Sequence, residues 1–134
     1  MAKQYRSREG EATAVDTKSA LTTLGSEAAP GPLLVPSGVT KLSHVIIAAA
    51  ASLLAATGCT AFIRLEGGGL PEGPETLAAG AGGAAVATGS ENTQEPVTIP
   101  VDVKVTPGNE ILLYGEMAGT DIGQVSFGVT LVFQ

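Results

Sequence analysis

The sequence predicts an all-β protein, an antiparallel β-sandwich with an extended N-terminal arm. Three observations carry this expectation. Eighteen Gly and eight Pro stand among 44% apolar and only 15% charged residues, a balance of strands and turns rather than helices. Two segments in the last third, Val97 to Val105 and Val125 to Phe133, alternate with a period of two. The apolar residues are nearly all aliphatic, with no Trp, two Tyr and three Phe. At 134 residues the chain is one domain long, enough to bury roughly 65–70% of its unfolded surface.

Residues 1–31 hold few large apolar groups, Tyr5, Val15, Leu21 and Leu24, among Ser, Thr, Ala, Gly and charges. No independent core comes from them, and Pro30-Gly31-Pro32 marks a boundary. They are read as an arm, which fully extended would reach ~100 Å. Residues 32–134 are read as the sandwich. It begins with the apolar run Leu33-Leu34-Val35 and a turn at Pro36-Ser37-Gly38. Val39 to Leu54 fits helical and strand periods alike, but the β-branched Val45-Ile46-Ile47 and its context favour a strand. Ala48 to Ala51 would give that strand a thin surface suited to close approach by another layer or subunit. Thr60 to Leu65 is expected as a second strand, paired antiparallel to the first. Residues 66–96 form a long Gly-rich loop that conceals a short strand within 77–87. Val97 to Val105 is a half-buried strand, at an edge or bulged near Pro100 because proline has no amide hydrogen. Thr106-Pro107-Gly108-Asn109 matches a type II turn. Glu110 to Glu116 is apolar on both faces at its centre, Met117 to Gly123 is expected as a turn, and Val125 to Phe133 as a final strand tied into the core.

The same residues restrict the chemistry. A single Cys excludes an internal disulfide framework and a Cys-rich zinc site, and a single His narrows catalysis. His44 and Cys59 could meet as base and thiol across paired strands, but each lies in apolar sequence without an orienting acid. Glu110, Glu116 and Asp121 flank one hairpin; acids beside turn glycines ordinarily serve solvation and turn geometry, and the spacing of an EF-hand loop is absent. Gly67-Gly68-Gly69 lacks the following Lys-Ser/Thr of a phosphate cradle and lies among Glu66, Glu72 and Glu75. No catalytic residue, metal or cofactor is expected, and the protein is read as a non-enzyme.

Net charge is −6. In residues 1–31 the bases Lys3, Arg6, Arg8 and Lys18 balance Glu9, Glu11, Asp16 and Glu27, so the excess acid lies in the body. Nucleic acid is therefore disfavoured as a partner, except weakly through Lys3, Arg6 and Arg8 at the N-terminal tip. The start MAKQYRSREG has no apolar stretch of a secretory signal. Ala56-Thr57-Gly58-Cys59 imitates a lipoprotein site but lies too deep in the chain. Residues 45–63 are broken by Ser52, Thr57, Gly58 and Thr60, so no membrane span is expected.

The arm, the closing strand Val125 to Phe133 and the turn Thr106 to Asn109 resemble, as an architecture, small viral shell proteins of the single jelly-roll capsid or trimeric decoration type. The resemblance implies a jelly-roll sandwich and a virion location. It also implies self-assembly into a trimer or larger lattice, with a second shell protein as a further partner. In such families the arm threads along neighbouring subunits, which assigns an inter-subunit role to Tyr5, Val15, Leu21 and Leu24. The excess of aliphatic residues over charge points the same way, toward surface covered by copies of the chain. The alternative is an extracellular filament or sheath subunit assembled by strand or arm exchange. A ligand-binding module using loop 66–96 is opposed by the scarcity of aromatic residues.

Overall fold

Alternation, glycine turns and aliphatic content produce two antiparallel sheets. The structure, a computed structural model, describes residues 3–13, 17–24, 27–28, 31–52, 59–71, 73–78, 92–93, 97–119 and 124–134. In chain order these give β1 (Gln4–Ala12), β2 (Ser19–Ala20), β3 (Thr23–Leu24), β4 (Glu27–Ala28), β5 (Lys41–Ser52), β6 (Cys59–Glu66), β7 (Glu75–Ala78), β8 (Asn92–Thr93), β9 (Val97–Lys104), β10 (Leu112–Gly119) and β11 (Gln124–Phe133). The first sheet runs β4-β3-β1-β11-β5, with β8 and β9 both on the far side of β5; the second runs β2-β10-β6-β7. Every described strand pair is antiparallel. Val45 and Ile47 from β5 and Val125, Phe127, Val129, Leu131 and Phe133 from β11 face Ile63, Leu65, Leu113 and Met117 of the second sheet in one aliphatic core. Full burial of a Leu, Ile or Phe side chain contributes about 1.5–3 kcal/mol.

The alternation of β9 survives: Thr98, Pro100, Asp102 and Lys104 are exposed, while Ile99, Val101 and Val103 pack against the core. Pro100 lies on a strand whose described partner is β5 alone, and the ladder shifts between Leu42 and His44, where Val101 and Asp102 oppose Ser43. Asp102 takes a φ of 50°, the left-handed conformation that an extra strand residue adopts. Ser43 is also the extra residue of β5 against β11, and its hydroxyl donates to the Val132 carbonyl at 3.0 Å. The type II turn stands, with Gly108 at φ 84° and the Asn109 amide donating to the Thr106 carbonyl at 3.3 Å.

Three sequence expectations need correcting. β5 and β6 do not pair: β5 lies between β11 and β9, whereas β6 lies between β10 and β7 in the other sheet. Each carries a buried apolar row, and stacking in opposite layers buries one row against the other. Met117 to Gly119 is strand rather than turn, because Met117 continues the inward row Ile111, Leu113, Gly115 opposite Ala61. Residues 120–123 lie outside the described residues. The third concerns the segment to residue 31, expected to extend as an arm. In the structure it supplies β1 to β4, and β1 pairs with β11 of the same chain through all nine of its residues, from Gln4–Phe133 to Ala12–Val125. Small residues make this fit: Gly10 and Ala12 sit on the inward row, and a Cβ at Gly10 would lie 2.8 Å from Leu21 Cδ2. Of loop 66–96, Glu75–Ala78 and Asn92–Thr93 are strands. The concealed strand expected within 77–87 overlaps the first of these, and residues 79–91 lie outside the described residues.

Candidate functional site

The two outer faces of the sandwich differ in chemistry. Strand register places Tyr5, Val132, His44 and Pro100 in one row across the outside of the first sheet. The next row is Ser7, Thr130, Ile46 and Thr98, and the next Glu9, Gly128 and Ala48. Within these rows Glu9, on the β1 side, is the one carboxylate, and there is no Lys or Arg. Ser7 Oγ and Thr130 Oγ1 satisfy each other at 2.9 Å, and His44 Nδ1 lies 3.1 Å from Ser43 Oγ. Gly128 adds flatness: a Cβ built there would meet nothing within 4 Å. The middle of the face is thus short in side chain and nearly neutral, and charge lies at its margins, with Glu9 and Glu11 on β1 and Asp102, paired with Lys41, and Lys104 on β9.

The outside of the second sheet is charged. Arg64 lies between Glu66 and Glu116, with Nη2 donating to Glu116 Oε2 at 3.5 Å and Nε 4.0 Å from Glu66 Oε2. Lys18 pairs with Glu66 at 3.0 Å and sits 4.7 Å from the centre of the Tyr114 ring. Arg64 Nε is buried without a hydrogen-bond partner among the described residues. This network was missed at the sequence level; its signal is the outward period Phe62, Arg64, Glu66 on β6, matched by Leu112, Tyr114 and Glu116 on β10.

The residues expected to act between subunits are scattered. Tyr5 is 55% exposed on the neutral face, and Leu24 is 40% exposed on β3. Leu21 is buried between the layers, its amide donating to the Leu113 carbonyl at 2.9 Å. Val15 lies outside the described residues. Lys3, Arg6 and Arg8 do not converge. Lys3 is exposed before β1, Arg6 donates to the Tyr5 carbonyl at 2.8 Å, and Arg8 is buried at 8% exposure on the inward row beside Val129.

The other candidates separate as well. His44 is on β5 and Cys59 on β6, in different sheets, so strand pairing does not join them. Glu110 and Glu116 stand six residues apart along extended chain, roughly 20 Å, and Asp121 lies outside the described residues. No group of three or more His, Cys, Asp or Glu able to hold a metal ion occurs among the described residues. Gly67, at φ 110°, and Gly69 allow backbone approach instead: the Gly69 amide donates to the Glu110 carbonyl at 2.9 Å, and a Cβ at Gly67 would lie 2.5 Å from that same oxygen. No helix among the described residues is long and apolar enough to cross a membrane.

No protein-family model matches the sequence, and no curated protein matches it. The fold is similar to that of a chain in the structure of infectious bursal disease virus, Gx strain, with a TM-score of 0.54 and 14% identity. The likeness covers 98% of this chain and 32% of that one, so the present chain spans about a third of its neighbour's length. A chain of the Gt strain structure (TM-score 0.36, 15% identity, covering 98% of this chain and 33% of that one) is more distant. So is the crystal structure of FLHE (TM-score 0.38, 12% identity, covering 100% and 99%). The Gx strain chain shares an all-β fold with this one.

Proposed function

We propose that the protein is a structural subunit that associates with copies of itself through the outer face of the first sheet, in a shell of the capsid or capsid-decoration kind. The carrying observation is the neutral rows from Tyr5 to Thr98 across four strands, beside an opposite face whose charges already pair with one another. Rows without charge lose little on leaving water, and their short side chains have little conformational entropy to lose. Two further features support the reading. Consecutive long strands change sheet, β5 to β6 and β9 to β10 to β11, a connectivity that suits a jelly-roll arrangement. The similar chain belongs to a virus structure. Exposed Tyr5 and Leu24 would then lie within reach of a neighbour, and the particle is where the protein would reside.

The test is Gly128→Arg. The site has open space around it, so the fold should stand while the long charged side chain blocks face-to-face packing. Sedimentation of the unaltered chain should show association at micromolar concentration that the variant loses. A unaltered chain that stays monomeric with no partner, or a variant that associates equally well, would sink the proposal. Electron microscopy of the associated form should show closed particles.

A further inference from the structure

Arg8 is the buried cation that the assembly reading does not use. It projects from β1 on the inward row, yet it is only 8% exposed. Its Nη1 donates to the Ser7 carbonyl at 2.7 Å and its Nη2 to the Gly31 carbonyl at 3.3 Å. A guanidinium carries five N–H donors, so these two bonds leave capacity, and among the described residues no carboxylate forms an ion pair with it. A buried charge without a counterion is costly.

Arg8 lines a cleft of about 110 Å³. One wall is Ala20 to Thr22, another Gly31 to Leu33, and the floor is Ile111 to Leu113. Leu21, Leu33, Ile111 and Leu113 are buried members of the core, so the cleft is apolar at its base with a single cation at its side. The segment 31–35 is fixed over it by backbone: the Ile111 amide donates to the Leu33 carbonyl and the Val35 amide to the Asn109 carbonyl, both at 2.9 Å. The site is therefore built by β1, the chain after β2 and the entry to β10, rather than by mobile surface lysines. Glu110 is the acid on its wall; it is exposed and makes no ion pair with Arg8.

We propose that this cleft binds a carboxylate on a short aliphatic stem, with the guanidinium of Arg8 holding the carboxylate and the Leu21, Leu33, Ile111 and Leu113 side chains taking the stem. The planar fork of Arg matches two carboxylate oxygens at once, and in a site away from water such charge-assisted bonds are stronger than neutral ones. The volume suits a group of a few heavy atoms, since a water's share of the liquid is about 30 Å³. Glu110 opposes any anion there, so its charge sets the affinity from the rim. The carboxylate can arrive as a small free acid or as an acidic side chain of another copy.

The test titrates the full chain with butyrate and, separately, with butyramide, its neutral counterpart, following backbone amide resonances. Butyrate should produce saturating shifts at residues 8, 21, 31–33 and 111–113, and butyramide should not. Glu110→Gln should tighten butyrate binding several-fold, because one like charge leaves the rim while the backbone bridge of residue 110 to Leu34 is untouched. Arg8→Met should abolish binding, and Arg8→Lys should weaken it by losing the fork. Equal shifts from acid and amide, no shift at those residues, or an unchanged affinity in Glu110→Gln would overturn the proposal. These outcomes are read on the unaltered chain and an exposed-site variant, so they do not depend on Arg8 variants folding. Sedimentation in saturating butyrate separates the two sources. Loss of association means that an acidic side chain of a neighbour uses the cleft, and unchanged association beside saturable binding means that a free acid does.

Discussion

Single residues decide how closely the layers approach and where the sheet bends. Gly115 on β10 is opposite β11, and a Cβ there would lie 2.6 Å from the Phe127 ring and 3.3 Å from Leu21 Cδ2. Gly115→Ala should therefore force the ring out of place and cost about 1–3 kcal/mol, as overpacking does, measured by urea unfolding. Asp102 combines two effects that variants can separate. Its φ of 50° disfavours any side chain but Gly, Asn and Asp, so Asp102→Val should be less stable than Asp102→Asn by about 1–2 kcal/mol. Lys41 Nζ, 2.8 Å away, hydrogen-bonds to the carboxylate and holds its pKa below the ordinary value of 3.8. A lowered carboxylate pKa stabilises the fold above the unfolded-state value, and that contribution fades as pH falls through the lower folded-state value. Thermal unfolding of the unaltered chain should therefore lose a small increment below about pH 4 that Asp102→Asn does not show. The site is exposed, so the increment is screened and should shrink further in salt.

At the scale of elements, β1 is the least expected feature. Its outward residues Tyr5, Ser7, Glu9 and Glu11 and inward residues Arg6, Arg8, Gly10 and Ala12 contain no apolar alternation, so hydrophobic patterning does not reveal a strand. Backbone pairing with β11 creates it, and β11 thereby becomes a central strand flanked by β1 and β5. Deletion of residues 2–12 should expose one edge of β11 and the apolar row at Val125, Phe127 and Val129. A drop in the urea midpoint with increased dye binding is expected, whereas a merely decorative segment would leave the midpoint unchanged. The strands of the last third were legible because each buries one face against a uniform core, which imposes the two-residue period. Pairing partners were not legible: β5 and β6 follow one another in sequence, yet they sit in opposite sheets because partner choice depends on all the strands together.

For the whole molecule, the contrast between the two outer faces sets how association should respond to conditions. Four strands at about 4.8 Å spacing and about five to seven residues at about 3.3 Å give a neutral face on the order of 400 Å², against about 800 Å² per partner in a stable pair. The face alone should support concentration-dependent association that a lattice with further contacts would reinforce. Because its rows are nearly uncharged, association should be insensitive to sodium chloride and strengthened by sulfate. Association through the Arg64, Glu66 and Glu116 face would instead weaken with added salt. Light scattering across a salt series distinguishes the two.

The all-β class, the strands of the last third, the type II turn and an edge or bulged strand near Pro100 are legible in the residues alone. Each follows from local stereochemistry or from a period imposed by one buried face. The composition also indicated an aliphatic core and little catalytic inventory. Packing of the whole chain, and nothing local, makes β1 pair within its own chain, puts Leu21 in the core and draws Arg8 inward while leaving Tyr5 outside. The same holds for charge, paired across the middle of the second sheet's outer face and confined to the margins of the first sheet's. These outcomes depend on register between residues far apart in the chain, such as Arg8 with Val129 and Tyr114 with Arg64. A one-residue slip would exchange the two faces, and no local pattern in residues 4–12 is strong enough to fix that choice.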